Sequence, residues 1–559
     1  TITITNQAGE ISIGQNFALR AIGSGSNNNV DGGTIEIKGN KILANQSGTL
    51  VLARGSKNGG HIIFEQFSTS SADILNLTGG ITIDASSSGN GNGGSLNVTA
   101  GGIIQVQSSL IKVSAGPSGN GNGGSTTFIS TNDFIATGTR IDITGDINND
   151  GTGSGKGGNI FIDGDGVKFE NLIANGGSSG GDGGTITVRD RNVGIAPINL
   201  NGASTISALG NNGLISIFTP RKGELIGDIK SLILENSASI VTNGAGSRIL
   251  LQPFTAASAK PLDILINGDA RISAIGGTIE LTATSAQDIL VDASQSTGIP
   301  ISGALKINGK DINFNVNSSS NLSLEDWIGS GDITIKNTGN GSIIQKAGST
   351  LAGSKLDIDL DNGSFGSAGQ HFETNISSLK ALIDRNGSGS LFLNNNSGGE
   401  LFIDDEAEAN NTFSVSSVDG ISVGNIFTAT GPIILLSTID RIIVRQVIIQ
   451  DNATLKAASA GINLQGGNDI IVSASTKVEG NGDIFISIGP ITSDPSCIQD
   501  SSGEPPCLDE ISTDLTGIVS GSGMIFWGEG ITTSGPAGAS TDGPTIKIVP
   551  NGGTITLGS

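Results

Sequence analysis

The sequence predicts an all-β solenoid, in which short strands wind into coils that stack on one another. Three observations carry this prediction. Residues 93–124, GGSLNVTAGGIIQVQSSLIKVSAGPSGNGNGG, contain three runs with alternating apolar positions: Leu96 and Val98, Ile104 and Val106, Ile111 and Val113. Alternate residues of a strand share a face, so each run offers one inward pair, and the glycine, serine or asparagine between runs marks a bend. The pattern then restarts. The second residue of a Gly-Gly pair stands at Gly33, Gly60, Gly94, Gly124, Gly158 and Gly184, in steps of 27, 34, 30, 34 and 26 residues. Composition is the third observation: 559 residues hold 87 glycines, one methionine, no tyrosine and only 14% charged residues. Ile-x-Ile and Leu-x-Val pairs recur where a helix would need apolar residues at i, i+3 and i+4.

Taken along the chain, residues 34–52, 95–113 and 125–143 are strand-bearing blocks of 19 residues each, closed by loops of 8, 11 and 15 residues. A constant core with variable loops is what stacking requires if the core must register on its neighbours and the loop need not. Residues 61–83 are longer and 159–173 shorter, which reads as a change at a corner and not as a break in the fold. Residues 1–190 thus form regular coils with long loops such as ASSSGNGNGG and NGGSSGGDGG. Residues 191–490 continue the coil with shorter loops and pieces such as Gly331-Asp332-Ile333-Thr334-Ile335. Within them RIIVRQVIIQ, residues 441–450, is the most apolar run and is expected under an excursion or at an interface.

Residues 491–515, rich in proline, read as a projecting loop, and residues 516–559 return to coils. The loop holds the only cysteines, Cys497 and Cys507. Their spacing suggests a local disulfide and an oxidising compartment, the alternative being two free thiols. Closing so short a loop would contribute on the order of 2–3 kcal/mol. Coils of roughly 20 to 30 residues would number about two dozen, and at about 4.8 Å per rung the stack would be on the order of 100 Å long.

The formal net charge is −22. No basic stripe is present to neutralise phosphates, so nucleic acid is not an expected partner. An acidic surface resists edge-to-edge association of a β-rich chain. No apolar run approaches the roughly 20 residues that span a bilayer. Neither a signal peptide nor an initiator methionine is visible, and Thr1 already lies in the strand-like TITIT, which reads as a mature or partial product.

Candidate chemistry is sparse. The two histidines are His61 and His371; His61 follows Gly60 where other repeats carry Thr, Ser or Asn, so it should face solvent, and neither is expected to be catalytic. Glycan-active enzymes need converging carboxylates. Asp404-Asp405 is the one Asp-Asp pair, and neighbours on a strand point to opposite faces. Calcium is the better alternative. Asp357, Asp359 and Asp361 alternate with Leu356, Ile358 and Leu360 and so line one outer face, while Asp146, Asn148 and Asp150 before Gly151 begin like a calcium loop. Gly157 occupies the position where that loop needs glutamate. Solvated acidic faces, with no metal or cofactor, are the expected reading. GTGSGKGG at 151–158 lacks the glycine and the hydroxyl residue of a phosphate-binding loop. The Thr-x-Thr pairs are too few for an ice-binding ladder. Trp327 and Trp527 could stack on sugar rings, although Trp527 is in phase with Ile525 and reads as core. Asn76, Asn97 and Asn375 begin Asn-x-Ser/Thr triplets, which an Asn- and Ser-rich chain contains by chance.

Repeats of the form GG-[TSN]-I-x-I, followed by G-x-I-x-V, S-x-I-x-V and a GNGNGG-type loop, resemble the large secreted exoproteins related to filamentous haemagglutinin, particularly cyanobacterial ones. The resemblance implies a right-handed parallel β-helix, export through a partner outer-membrane transporter, and a place outside the cell or on its surface. The NPNG-like motif of that family's secretion domain is missing; the nearest text is Val549-Pro550-Asn551-Gly552. The expected function is that of a non-catalytic adhesin or extracellular structural protein, its loops contacting glycans or proteins of a cell surface or matrix. The alternatives are a filament subunit that associates end to end and a polysaccharide-active enzyme.

Overall fold

A computed structural model describes residues 1–23, 29–68, 70, 73–131, 141–191, 197–219, 231–253, 261–284, 286–384, 388–404, 407–418 and 420–437, and a series of strands within 446–557. The described residues are all-β, without a helix, and their strands stack in parallel ladders. The fold is a parallel β-helix. The chain forms two compact units, Thr1–Lys310 and Asp311–Ser559.

Three ladders run through the first unit, one for each arm of the coil. The first begins in Ile2–Ser12 and Thr34–Leu43 and passes through His61–Gln66, Ser95–Ala100, Ser125–Ser130, Asn159–Gly164 and Thr185–Asp190. It continues through Leu214–Thr219, Arg248–Pro253, Arg271–Thr282 and Ile301–Gly309. The second and third arms of a coil often share one bent strand. In Ile74–Asp84 the register with Ile103–Lys112 shifts after Leu77, which marks the corner. Inward positions are apolar throughout: Leu96, Val98, Ile104, Ile111 and Val113 are fully buried and Val106 is 1% exposed. Burial of each such side chain contributes about 1.5–3 kcal/mol.

One coil departs from the spacing expected of it. Ile141 and Ile143 pair with Ile104 and Val106, so they belong to the second arm, and the third arm follows at Ile147, opposite Ile111. The block 125–143 therefore closes one arm early. Its extra residues fall between Ser125–Ser130 and Ile141–Asn148, where 132–140 lie outside the described residues, and the loop before Asn159 is correspondingly shorter. The longer 61–83 and shorter 159–173 blocks are corner changes, as the sequence implies.

The loops are also in register, although stacking requires this only of the core. Gly59 N donates to Asn92 O at 2.9 Å, Gly93 N to Asn122 O at 2.9 Å and Gly123 N to Lys156 O at 2.8 Å. Side chains reinforce these rungs: Asn58 Oδ1 accepts from Asn92 N at 3.0 Å, Asn92 Oδ1 from Asn122 N at 2.8 Å, and Asn122 Oδ1 from Lys156 N at 2.8 Å. Glycine is required here by proximity. A Cβ on Gly93 would lie 1.9 Å from Val113 O, and one on Gly94 1.9 Å from Gly60 O, both immovable backbone atoms. Later in the unit the loop contracts to a corner of two residues, Gly276 and Gly277, within Arg271–Thr282, where Gly276 adopts a φ of +76°.

Coils of the second unit are shorter. Ile312 pairs with Ile333, which pairs with Leu356, and Leu391 pairs with Phe413, which pairs with Ile433. Buried amides staple the tight corners: Asn337 Oδ1 accepts from Ser318 N at 2.9 Å while its Nδ2 donates to Gly341 O at 2.8 Å. Of RIIVRQVIIQ, Gln446–Ile449 is a rung between Ile421–Val423 and Asp469–Val472, and residues 441–445 and 450 lie outside the described residues. Lys477–Gly480 pairs directly with Ile518–Gly521, and Ile484–Ile488 with Ile525–Trp527, so the ladders continue across 491–515. Cys497, Cys507 and the loop that holds them lie outside the described residues.

Two comparisons of variants test this architecture by thermal unfolding. Val106→Asp places an unpaired charge in the column and should destabilise by more than about 4 kcal/mol. Asn120→Asp keeps the acceptor that Ser154 N uses at 3.1 Å and should be near neutral; similar losses for both would contradict the inward assignment. Gly93→Ala should cost about 2–4 kcal/mol through displaced backbone, whereas Gly14→Ala, with open space around the new methyl, should stay within about 0.5 kcal/mol.

Candidate functional site

Outward side chains of both units pair from one rung to the next. Lys41 lies 2.9 Å from Glu10, Lys38 3.3 Å from Glu65, Arg191 2.8 Å from Asp163 and Lys336 2.8 Å from Asp359. Arg248 binds Glu280 through two hydrogen bonds, at 3.1 and 2.5 Å. The Arg189 guanidinium stands between the rings of Phe161 and Phe218, 5.2 Å from each centroid. Exposed ion pairs of this kind contribute little singly, but the register makes them systematic.

The residues singled out in the sequence take the following places. His61 is exposed, with Nδ1 2.8 Å from Ser95 Oγ on the next coil. Asp404 Oδ2 lies 3.3 Å from Lys355 Nζ, and Asp405 lies outside the described residues. Trp327 is fully buried, edge-to-face with Phe314 at 5.1 Å, and so cannot stack on a sugar. Trp527 ends the rung Ile525–Trp527, and its side chain lies outside the described residues. Asn97 and Asn375 are exposed, while Asn76 Oδ1 accepts from Thr78 N and Oγ1 within its own turn.

The calcium candidates sit on the strands Lys355–Leu360 and Ile141–Asn148 or, for Asp361 and Asp150, just beyond their ends. Leu356, Ile358 and Leu360 point inward and Asp357, Asp359 and Asp361 outward, as alternation requires. Asp359 is held by Lys336. Burial raises the Asp357 carboxyl above its ordinary range, and Asp359 and Asp404 add to that against Lys355 and Lys380. Asp146 and Asn148 flank the inward Ile147 in Ile141–Asn148, so the resemblance to a calcium loop is not one of backbone shape. Asp146 accepts from Asn171 Nδ2 at 2.7 Å, and Asp150 accepts from Asn175 N at 2.8 Å and from Asn148 Nδ2 at 3.0 Å. Among the described residues no group of three or more His, Cys, Asp or Glu is placed to hold a metal ion.

One concavity of the second unit was not legible as a site. Phe365 bridges to Ile343 and Leu391, and Phe372 pairs with Leu393. The adjoining strand Leu391–Asn395 spends one residue, Phe392, where this coil spends residues 366–371. The surplus is looped out as a turn closed by reciprocal 3.0 Å bonds between Ser367 and Gln370. Phe365 and Phe372 close the gap beneath it, their rings stacked at 3.9 Å. Between this turn and residues 346–348 lies an open cleft of about 640 Å³, lined by Gln345, Gln370, His371, Glu373 and Asn394 among others. The signal in the sequence was two core phenylalanines separated by GSAGQH, which interrupts the alternation.

No family model, no curated protein and no solved structure matches this chain.

Burial raises the Asp150 carboxyl above its ordinary 3.8, outweighing the hydrogen bonds from Asn175 and Asn148 and the charge of Lys112, which lower it. The folded state therefore holds this proton more tightly than the unfolded one. The resulting stability is fully present below pH 3.8 and is lost as pH rises through the folded value. Urea midpoints of wild type and Asp150→Asn, measured from pH 3 to pH 6, should show the variant gaining relative to wild type across that window. A difference that stays flat or reverses would refute the assignment.

Proposed function

We propose that this protein is a non-catalytic adhesin or structural protein of the cell surface or extracellular space, with its stacked loops as the contact surface. The observation that carries the reading is the loop register. The long glycine- and asparagine-rich loops are tied from coil to coil by main-chain and asparagine hydrogen bonds. A coil can close with the two residues Gly276 and Gly277, so loops of this length are more than the winding needs. Held rigid, they set Asn58, Asn92, Asn122 and Lys156 at fixed intervals as a polar array that loses little entropy on contact. The outward charges elsewhere are paired between rungs instead of converging as catalytic groups would.

Beads coated with the full chain should attach saturably to cells or to a polysaccharide matrix and be competed by soluble chain. A variant with Pro117, Ser118 and Asn120 changed to glycine, which keeps Gly116, Gly119 and Gly121 where a Cβ would meet main chain, should fold and attach at least ten-fold less. Attachment no greater than that of albumin-coated beads would remove the adhesive reading. Concentration-dependent filaments seen by electron microscopy in place of attachment would favour a self-assembling subunit.

A further inference from the structure

The cleft at residues 366–371 has the chemistry of a ligand site, and this goes beyond the contact role of the loops without depending on it. Gln345, 6% exposed at its base, uses both ends of its amide to replace the ladder that the excursion interrupts: Oε1 accepts from Glu373 N at 2.7 Å and Nε2 donates to Glu373 O at 3.0 Å. This anchors Glu373. Its Oε1 accepts from Asn394 Nδ2 at 2.9 Å and its Oε2 from Asn396 Nδ2 at 2.7 Å.

The bond to Glu373 settles the orientation of the Asn394 amide, since a carboxylate only accepts. Asn394 Oδ1 is then the acceptor for Ser416 Oγ at 2.6 Å and for His371 Nδ1 at 2.9 Å. In the neutral imidazole that donates from Nδ1 the proton sits there, and Nε2 is the acceptor. Gln370 is anchored through Nε2 to Gln345 O, and Lys346 Nζ lies 3.0 Å from Glu325. The cleft thus combines acceptors at His371 Nε2 and Glu373 with donors at Gln370 and Lys346, whose charge Glu325 already balances. A sulfated or phosphorylated ligand would meet the Glu373 carboxylate. A cation would meet the Lys346 ammonium and find both Glu373 oxygens already engaged by Asn394 and Asn396. A neutral polyol offers both donors and acceptors and meets neither penalty.

We infer that this cleft binds a sugar residue of a neutral glycan, with the His371 Nε2 and Glu373 oxygens accepting from its hydroxyls and Gln370 and Lys346 donating to them.

Saturation-transfer NMR with the full chain tests this, using cellohexaose, xylohexaose, mannohexaose and chitohexaose, their monosaccharides, and a heparin hexasaccharide. At least one neutral probe should bind, and Ala368→Trp, which fills the mouth from an exposed turn, should weaken it at least ten-fold. His371→Ala should do the same, with unchanged circular dichroism for both variants. Binding that needs the hexamer marks a glycan chain and equal binding of the monomer a free sugar; both support the cleft. Absence of binding by all neutral probes, binding unchanged in Ala368→Trp, or tighter binding of heparin would overturn it. Bead attachment is a separate readout, so attachment by Ala368→Trp chains that no longer bind the probe would leave the adhesive role standing.

Discussion

Every coil is held by main-chain hydrogen bonds to the coils on either side, in a register that admits almost no slack. Parallel rungs lie about 4.8 Å apart, and the glycine pairs bring main chains closer than any side chain would allow: a Cβ on Gly123 would sit 1.8 Å from Asn149 O, and one on Gly157 2.0 Å from Ala174 O. From this constraint the rest follows. Inward residues fall on inward residues, so Ile35, Ile62 and Leu96 form one fully buried column. Outward residues fall on outward residues, so complementary charges meet across a single rung. Each coil packs chiefly on its immediate neighbours, with a few side chains such as Lys355 reaching Asp404 two coils on, so stability is close to a sum of local interfaces.

The core was legible because alternation is a local property. Leu96, Val98, Ile104, Val106, Ile111 and Val113 needed only a period of two to be assigned inward. Arm identity is not local. Ile141-x-Ile143 fits the second arm and the third equally well, and only its partners Ile104 and Val106 on the preceding coil decide between them. The register of the loops is not local either. Stacking does not demand it, and glycine and asparagine, which tolerate a main chain at contact distance, reveal it only once the neighbouring coil is in place. The cleft was hidden for the same reason, because His371, Gln345 and Asn394 belong to three successive coils and meet only through register.

A periodic scaffold restricts where chemistry can arise. While the rungs match, an outward carboxylate faces the residue directly above or below it, as Asp359 faces Lys336 and Glu65 faces Lys38. Pairs form readily in this way, but several functional groups do not converge on one point. Even the alternating row Asp357, Asp359 and Asp361 spreads along its strand, because successive outward residues lie two strand steps apart, roughly 7 Å.

Convergence therefore needs a rung of unequal length, and residues 366–371 supply one. The inserted turn lifts main chain off the sheet, which leaves the peptide of Glu373 without its regular partner. An unsatisfied buried peptide is costly, so the interruption is tolerable only because the Gln345 side chain takes the place of the missing strand. That repair fixes Glu373, Glu373 orients Asn394, and Asn394 sets the proton on His371. Two adjacent excursions, residues 346–350 and 366–371, thus frame the cavity, and the repair at Gln345 orders the polar groups around it. Bulges and insertions in strands recur at functional positions for this reason: they re-aim side chains that a regular ladder would keep apart.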